Sequence, residues 1–248
     1  MSPKPRHIHK QKLSAIHRFT FVLWFSAALT AAAGDLKFES GPQRVHLLEL
    51  FTSEGCSSCP PAEAWLSKMK AEPRLWKDFV PIAFHVDYWD RLGWRDPFAS
   101  KEWTARQYQY SVNWKIETVY TPGFVLDGRE LLERTVPSLS SERPGVLRLS
   151  LADGKIAAES NSGNSAKRDV ALHLATLGFD LTTKITAGEN NGRNLHQDFV
   201  VLSLASEKMS NGKAEFSFTL DARAGAIAAW ITEPNQLEPI QAVGGWLR

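Results

Sequence analysis

Apolar residues run almost unbroken from Val45 to Phe51, the pattern of a strand buried on both faces. A polar turn follows. Pro60-Pro61 then opens a segment in which Ala62, Trp65, Leu66 and Met69 recur at helical spacing, ending at Glu72-Pro73. Proline suits a helix's first turn because the N–H it lacks has no partner there. Val80–Asp87 predicts a second strand, and Ala99–Trp114 a second helix with Trp103, Tyr110 and Trp114 on one face. Gly123–Leu126 is a third strand, returned by Asp127-Gly128 into Arg129–Leu132. The order is strand, helix, strand, helix, strand, strand, a βαβαββ unit of α/β type.

Beyond Arg143-Pro144-Gly145 the pattern changes. Val146–Leu151, Lys155–Ala158, Val170–Leu177, Thr182–Thr186, Phe199–Leu204 and Ala214–Leu220 read as short strands, several of them cleanly alternating. Turn signals at Asp153-Gly154, Asn161–Asn164, Asn190-Asn191-Gly192 and Asn211-Gly212 separate them. This spacing predicts an antiparallel, sandwich-like β domain. The expected organisation is therefore a leader over 1–33, an α/β domain over 34–143 and a β-rich domain over 144–248.

The leader rests on three features. Lys4, Arg6, Lys10, Lys12 and Arg18 form a basic stretch without an acid, Phe19–Leu29 is apolar but too short to span a bilayer, and Ala31-Ala32-Ala33 offers a small-residue cleavage site. A chain processed there is secreted or periplasmic and has no stable membrane insertion. Removing that leader changes the charge. Of 29 Lys and Arg, five lie in residues 1–33, while all 27 Asp and Glu lie beyond, so the remainder is acidic by three charges. Its bases and acids are interspersed, which gives no basic stripe for nucleic acid.

The chain has two cysteines, Cys56 and Cys59, in Glu54-Gly55-Cys56-Ser57-Ser58-Cys59-Pro60-Pro61. A C-x-x-C between a buried strand and a helix places the first thiol where unpaired N–H groups and the helix dipole favour an anion. Cys56 is then the nucleophile and Cys59 the resolving thiol, with Ser57 and Ser58 able to hydrogen-bond a thiolate. Gly55 leaves the approach to Cys56 uncrowded.

Strand, Cys-x-x-Cys and helix together resemble the thioredoxin superfamily. The stretch Leu48–Pro61, with Val86-Asp87-Tyr88-Trp89-Asp90 and Tyr120-Thr121-Pro122, is similar to an uncharacterised secreted thioredoxin-like family, a domain-of-unknown-function family. The resemblance implies a thioredoxin-like fold with no assigned substrate. It implies a cis Thr121–Pro122 bond facing the cysteines, and it nominates Glu49 as the buried carboxylate that moves a proton off the second thiol. Two features depart from the superfamily: Gly55 stands where a Trp is usual, and Ser57-Ser58 fills the redox-tuning spacer, so the direction of electron flow stays open.

Three functional readings follow. The first is an extracytoplasmic thiol–disulfide oxidoreductase acting through Cys56 and Cys59, with Thr121, Pro122 and Glu49 in support. It needs no cofactor and takes a protein or small-thiol substrate and a separate redox partner. The second is a non-enzymatic binding module with a structural disulfide. The third is a copper-binding protein using Cys56, Cys59 and His85, a soft three-ligand set. Two segments remain: the aromatic loop Tyr88–Pro97, as packing or a peptide rim, and the polar loop Gly188–His196, whose Arg193 and His196 point to a cleft between the halves if it is more than a hairpin turn.

Overall fold

The computed structural model describes residue 1 and residues 35–162 and 169–248, so the leader expected over 1–33 lies, Met1 apart, outside the described residues. The described chain begins with β1 (Leu36–Glu39) and β2 (His46–Thr52), then α1 (Pro60–Ser67), which continues as a 3₁₀ turn over Lys68–Ala71. Next come β3 (Phe79–His85), a 3₁₀ turn at Asp90–Leu92, α2 (Lys101–Trp114), β4 (Gly123–Leu126) and β5 (Arg129–Glu130). The remainder is strand: β6 (Leu147–Ala152), β7 (Lys155–Ser160), β8 (Val170–Gly178), β9 (Leu181–Lys184) and β10 (Asn194–Gln197). After them run β11 (Val200–Met209), β12 (Lys213–Ser217), β13 (Ala224–Thr232) and β14 (Pro239–Trp246).

These pairings overturn the expected fold class. A thioredoxin-like βαβαββ domain followed by a separate sandwich is not what forms. The described residues hold fourteen strands and only two α-helices, so the molecule is mostly β. One eight-stranded sheet runs β14-β13-β8-β11-β3-β2-β4-β5 and draws strands from both sides of Pro144. The joint is the parallel contact of Val200 on β11 with Ala83 on β3, reinforced by Ala83 N–H donating to Phe199 O at 2.8 Å. Hydropathy along the chain reports β2, α1, β3, α2 and β4, but the pairing of β3 with a strand more than a hundred residues later carries no local signature.

A second sheet, β1-β6-β7-β12, is wholly antiparallel and packs on the large one. Strand β13 shows how. Ala226, Ala228 and Trp230 enter the core shared with β2, β3 and the helices, while Ile227, Ala229 and Ile231 enter the core shared with Leu147, Leu149, Ile156 and Ala158. The period of two thus feeds two hydrophobic layers at once. Each fully buried Leu, Ile or Phe contributes about 1.5–3 kcal/mol of transfer free energy. Three tight turns carry positive φ at both central residues: Asp127-Gly128 (48°, 82°), Asp153-Gly154 (49°, 73°) and Asn211-Gly212 (52°, 74°). That is the turn whose twist matches a hairpin. No helix among the described residues is long and apolar enough to cross a membrane.

Candidate active site

The cysteine turn leaves the end of β2 and enters α1. Cys56 N–H donates to Ser53 O at 3.1 Å, and Cys59 N–H to Cys56 O at 3.3 Å. Cys59 is the N-cap of α1, Pro60 and Pro61 fill the first helical positions, and the Cys59 carbonyl accepts from Ala62 and Glu63. Both cysteines are free thiols with no exposed surface.

The two sulfurs sit in opposite electrostatic situations. The Cys59 thiol, then Ser58 and Thr121, hydrogen-bond Cys56 and outweigh its burial, bringing it down to about 6. Ser58 Oγ lies 3.3 Å from Cys56 Sγ, and the thiol form donates to Thr121 O at 3.7 Å. Cys59 moves the other way: burial first, then the adjacent Cys56, hold its thiol protonated far above the ordinary range. A thiol that ionises easily beside one that resists it is chemically suited to nucleophilic attack followed by intramolecular displacement.

The Thr121–Pro122 bond is cis, and Thr121 stands against Cys56. The Trp89 indole N–H donates to the Thr121 hydroxyl at 2.8 Å, and Gln107 Nε2 donates to Tyr120 O at 2.7 Å, fixing the loop. A Cβ on Gly123 would lie 3.1 Å from Tyr120 O, which explains a glycine after the proline. Gly55 does not leave open space. A Cβ there would meet Trp89 Cβ at 2.9 Å, so Trp89, from the loop after β3, covers the turn.

Glu49 is not beside the cysteines. Alternation along β2 points it to the α2 face, where Arg106 Nε donates to Oε2 at 2.7 Å and Arg106 Nη2 to Oε1 at 3.0 Å. Tyr110 also donates its hydroxyl to Oε1. The guanidinium is boxed by Phe84, Tyr110 and Trp230, each ring centroid 5.4 Å from Cζ. The carboxyl on the Cys59 side is Glu63, buried on α1. Thr52, of opposite parity to Glu49 on β2, donates to Glu63 Oε1 at 2.6 Å and is a hydrogen-bond partner of Cys59. Gln197 Nε2 donates to Glu63 Oε2 at 3.1 Å. Burial holds Glu63 above the usual carboxylate range.

His85 does not join the cysteines either. Its Nδ1 lies 2.7 Å from Asp96 Oδ2 with both side chains fully buried. Burial opposes charging of His85, but Asp96 outweighs it and raises the imidazole; His85 in turn lowers Asp96 against its own burial. Asp96 also accepts from Glu54 N–H at 2.8 Å and Phe98 N–H at 2.9 Å, so the pair braces the turn. Cys56, Cys59 and His85 are absent from the groups of described residues whose ligand atoms converge within 4.8 Å. The Glu54 side chain is pushed up to about 7, by burial first and by Asp96 second.

The polar loop between β9 and β10 closes over the turn. Ser57 N–H donates to Glu189 Oε2 at 3.0 Å, and the fully buried Asn190 donates through Nδ2 to Glu54 O at 2.8 Å and Cys56 O at 3.0 Å. Arg193 orients Asn190, with Nη1 to Oδ1 at 2.9 Å. Of the two residues singled out in this loop, Arg193 therefore acts on the cysteine turn through Asn190. His196 lies at the hairpin's base, close to Asp180 and Asp198. Thr52, Trp89, Glu189 and Asn190 lie in segments singled out from the sequence and Glu63 does not, but the role of each needs the tertiary contact.

Residues 47–231 match the family described as "Protein of unknown function (DUF1223)". No curated protein matches the chain. A crystal structure of a protein from Agrobacterium tumefaciens is similar in fold, at TM-score 0.62 and 23% identity, over 83% of this chain and 96% of that one. HBP35 of Porphyromonas gingivalis aligns at TM-score 0.49 and 15% identity, over 82% of this chain and 75% of that one.

Proposed function

For a chain that belongs to the DUF1223 family of proteins of unknown function, we propose thiol–disulfide exchange outside the cytoplasm as the activity of the Cys56–Cys59 turn. The observation that carries this reading is the split between the two thiols, Cys56 lowered to about 6 and Cys59 raised. A disulfide kept only for rigidity has no need of it. The basic-apolar-small order of residues 1–33 supports the compartment.

The exchange is a two-step displacement. The Cys56 thiolate attacks one sulfur of a substrate disulfide. The Cys56–substrate bond forms as the substrate S–S bond breaks, and one substrate sulfur leaves as thiolate. Cys59 then passes its proton by way of the Thr52 hydroxyl to the Glu63 carboxylate and attacks Cys56 Sγ. The Cys56–Cys59 bond forms, the mixed disulfide breaks, and the second substrate sulfur leaves as thiolate. The substrate gains two electrons and the protein loses two, to be restored by a dithiol partner. The reverse sequence oxidises a substrate dithiol and returns the pair to its reduced form. Lowering Cys56 stabilises the reduced protein, which favours this oxidising direction.

One observation favours a second reading, a structural bond in a non-enzymatic binding module: neither sulfur has exposed surface. A single set of measurements separates the two. The purified protein and its Cys56→Ser and Cys59→Ser variants are assayed for exchange with a model disulfide peptide, and the pair's reduction potential is measured. Catalysed exchange lost in Cys56→Ser, with a trapped mixed disulfide in Cys59→Ser, is the expected result. A potential below about −300 mV with no catalysed exchange would mark a structural bond.

A further inference from the structure

We propose that the open end of the β9–β10 hairpin is a site for a divalent transition metal of the zinc class, held by Asp180 Oδ1, His196 Nε2 and Asp198 Oδ2. Gln197 pairs with Leu181 in the hairpin register, so Asp198 and Asp180 are the next residues outward on the two strands. His196 and Asp198, two apart, share a face. His196 Nε2 lies 3.3 Å from Asp180 Oδ1 and 3.6 Å from Asp198 Oδ2, and the three ligand atoms fall within 4.8 Å of one another. Ligands about 2.0–2.2 Å from a tetrahedral zinc stand roughly 3.3–3.6 Å apart, so the two short separations already suit that geometry.

The independent observation is at Asp198. The residue is 4% exposed, and its Oδ2 is buried without a hydrogen-bond partner. A buried carboxylate oxygen without a donor is costly, and a cation removes that cost. Its other oxygen is fully engaged: Lys70 Nζ donates to Oδ1 at 2.8 Å and Asp180 N–H at 3.0 Å, which fixes the carboxylate with Oδ2 turned to His196. Thr182 Oγ1, 3.4 Å from His196 Nδ1, is placed to accept from it and leave Nε2 free as a ligand. Outer partners of this kind orient metal ligands in zinc sites.

Lys70 is the competitor, since its Nζ also donates to Asp180 Oδ1 at 2.8 Å. A metal on Asp198 Oδ2 leaves the Lys70–Asp198 Oδ1 bond standing and replaces only the arm to Asp180. Two carboxylates against one ammonium leave a net negative charge to attract it. A mixed nitrogen and oxygen set selects zinc-like ions over magnesium or calcium. With His196 and Asp180 both well exposed, entry is open and a water completes the fourth position. The site is independent of the thiol chemistry. It closes the base of the hairpin whose loop covers Cys56.

The test must keep the thiols out. Zinc is titrated calorimetrically into the full chain carrying Cys56→Ala and Cys59→Ala. Cobalt(II) spectra of the unaltered chain serve as a second measurement should that variant fold poorly. We expect one equivalent of zinc, a tetrahedral cobalt spectrum without sulfur-to-metal charge transfer, and at least about tenfold weaker binding in His196→Ala and in Asp180→Asn. No binding up to roughly millimolar zinc, or binding indifferent to both substitutions, overturns the site.

Discussion

Thr52 and Glu63 face each other between the end of β2 and the first turns of α1, the Thr52 hydroxyl donating to Glu63 Oε1 at 2.6 Å. The same hydroxyl is a partner of Cys59, so a buried proton acceptor stands one side chain away from the thiol that least readily ionises.

That relation predicts a specific defect in Glu63→Gln. Attack by Cys56 on a model disulfide should proceed within about threefold of normal, because Glu63 does not touch Cys56. Resolution of the mixed disulfide should slow by about a hundredfold, the low end of what a positioned general base supplies. Quenched-flow mass analysis of the mixed disulfide reads both steps. Equal slowing of the two would remove Glu63 from the relay.

Glu49 should behave in the opposite way. It and Arg106 form a buried bidentate pair, and replacing one partner strands the other charge. Glu49→Gln should cost about 3–5 kcal/mol in urea unfolding while exchange per folded molecule stays within about twofold. A stable protein that has lost exchange would return Glu49 to the catalytic group.

Glu54 makes the stability depend on pH. Its folded pKa, about 7, lies above its ordinary 4.5, so the native state holds a proton that the unfolded chain releases. The contribution is fully present below pH 4.5 and is lost as pH rises towards 7, by about 1–2 kcal/mol after allowance for screening. Glu54→Gln should flatten this slope in urea melts between pH 4.5 and 7.5. An unchanged slope would assign it to another group.

Asn190 is the clasp over the cysteines. Asn190→Ala removes the side-chain donor from Glu54 O and from Cys56 O, the latter keeping only Cys59 N–H, at about 1–3 kcal/mol, and favours an open loop by at least about tenfold. Iodoacetamide should then label Cys56 correspondingly faster at pH 7.5. An unaltered labelling rate would show that Cys56 is reached by another route.

The parts legible in the sequence were those set by near neighbours. Asp127-Gly128, Asp153-Gly154 and Asn211-Gly212 announce hairpins because the left-handed conformation at both positions is a property of those residues. β4 is legible at its observed limits, and so is the cysteine turn between strand and helix. β13 and β14 are not. β13 holds alanine at four of its nine positions and glycine at a fifth, both poor strand formers, and β14 opens on proline and carries Gly244-Gly245. Their smallness answers to distant residues: a Cβ on Gly244 would meet Trp76 at 2.6 Å, and one on Gly245 would meet Phe38 at 2.5 Å. Glu63 was hidden for a related reason. An acid in a helix's first turn reads as a solvated dipole partner, and only the packing of β10 over α1 buries it.

The joint between Ala83 and Val200 has a consequence for the order of events during synthesis. The cysteine turn emerges early, but the strand that completes its sheet and the loop that covers its thiols come more than 130 residues later. Contacts this distant form slowly. Until residues 189, 190 and 200 have been made, the turn that holds Cys56 and Cys59 lacks the bonds to Glu189 and Asn190 that close it in the folded chain.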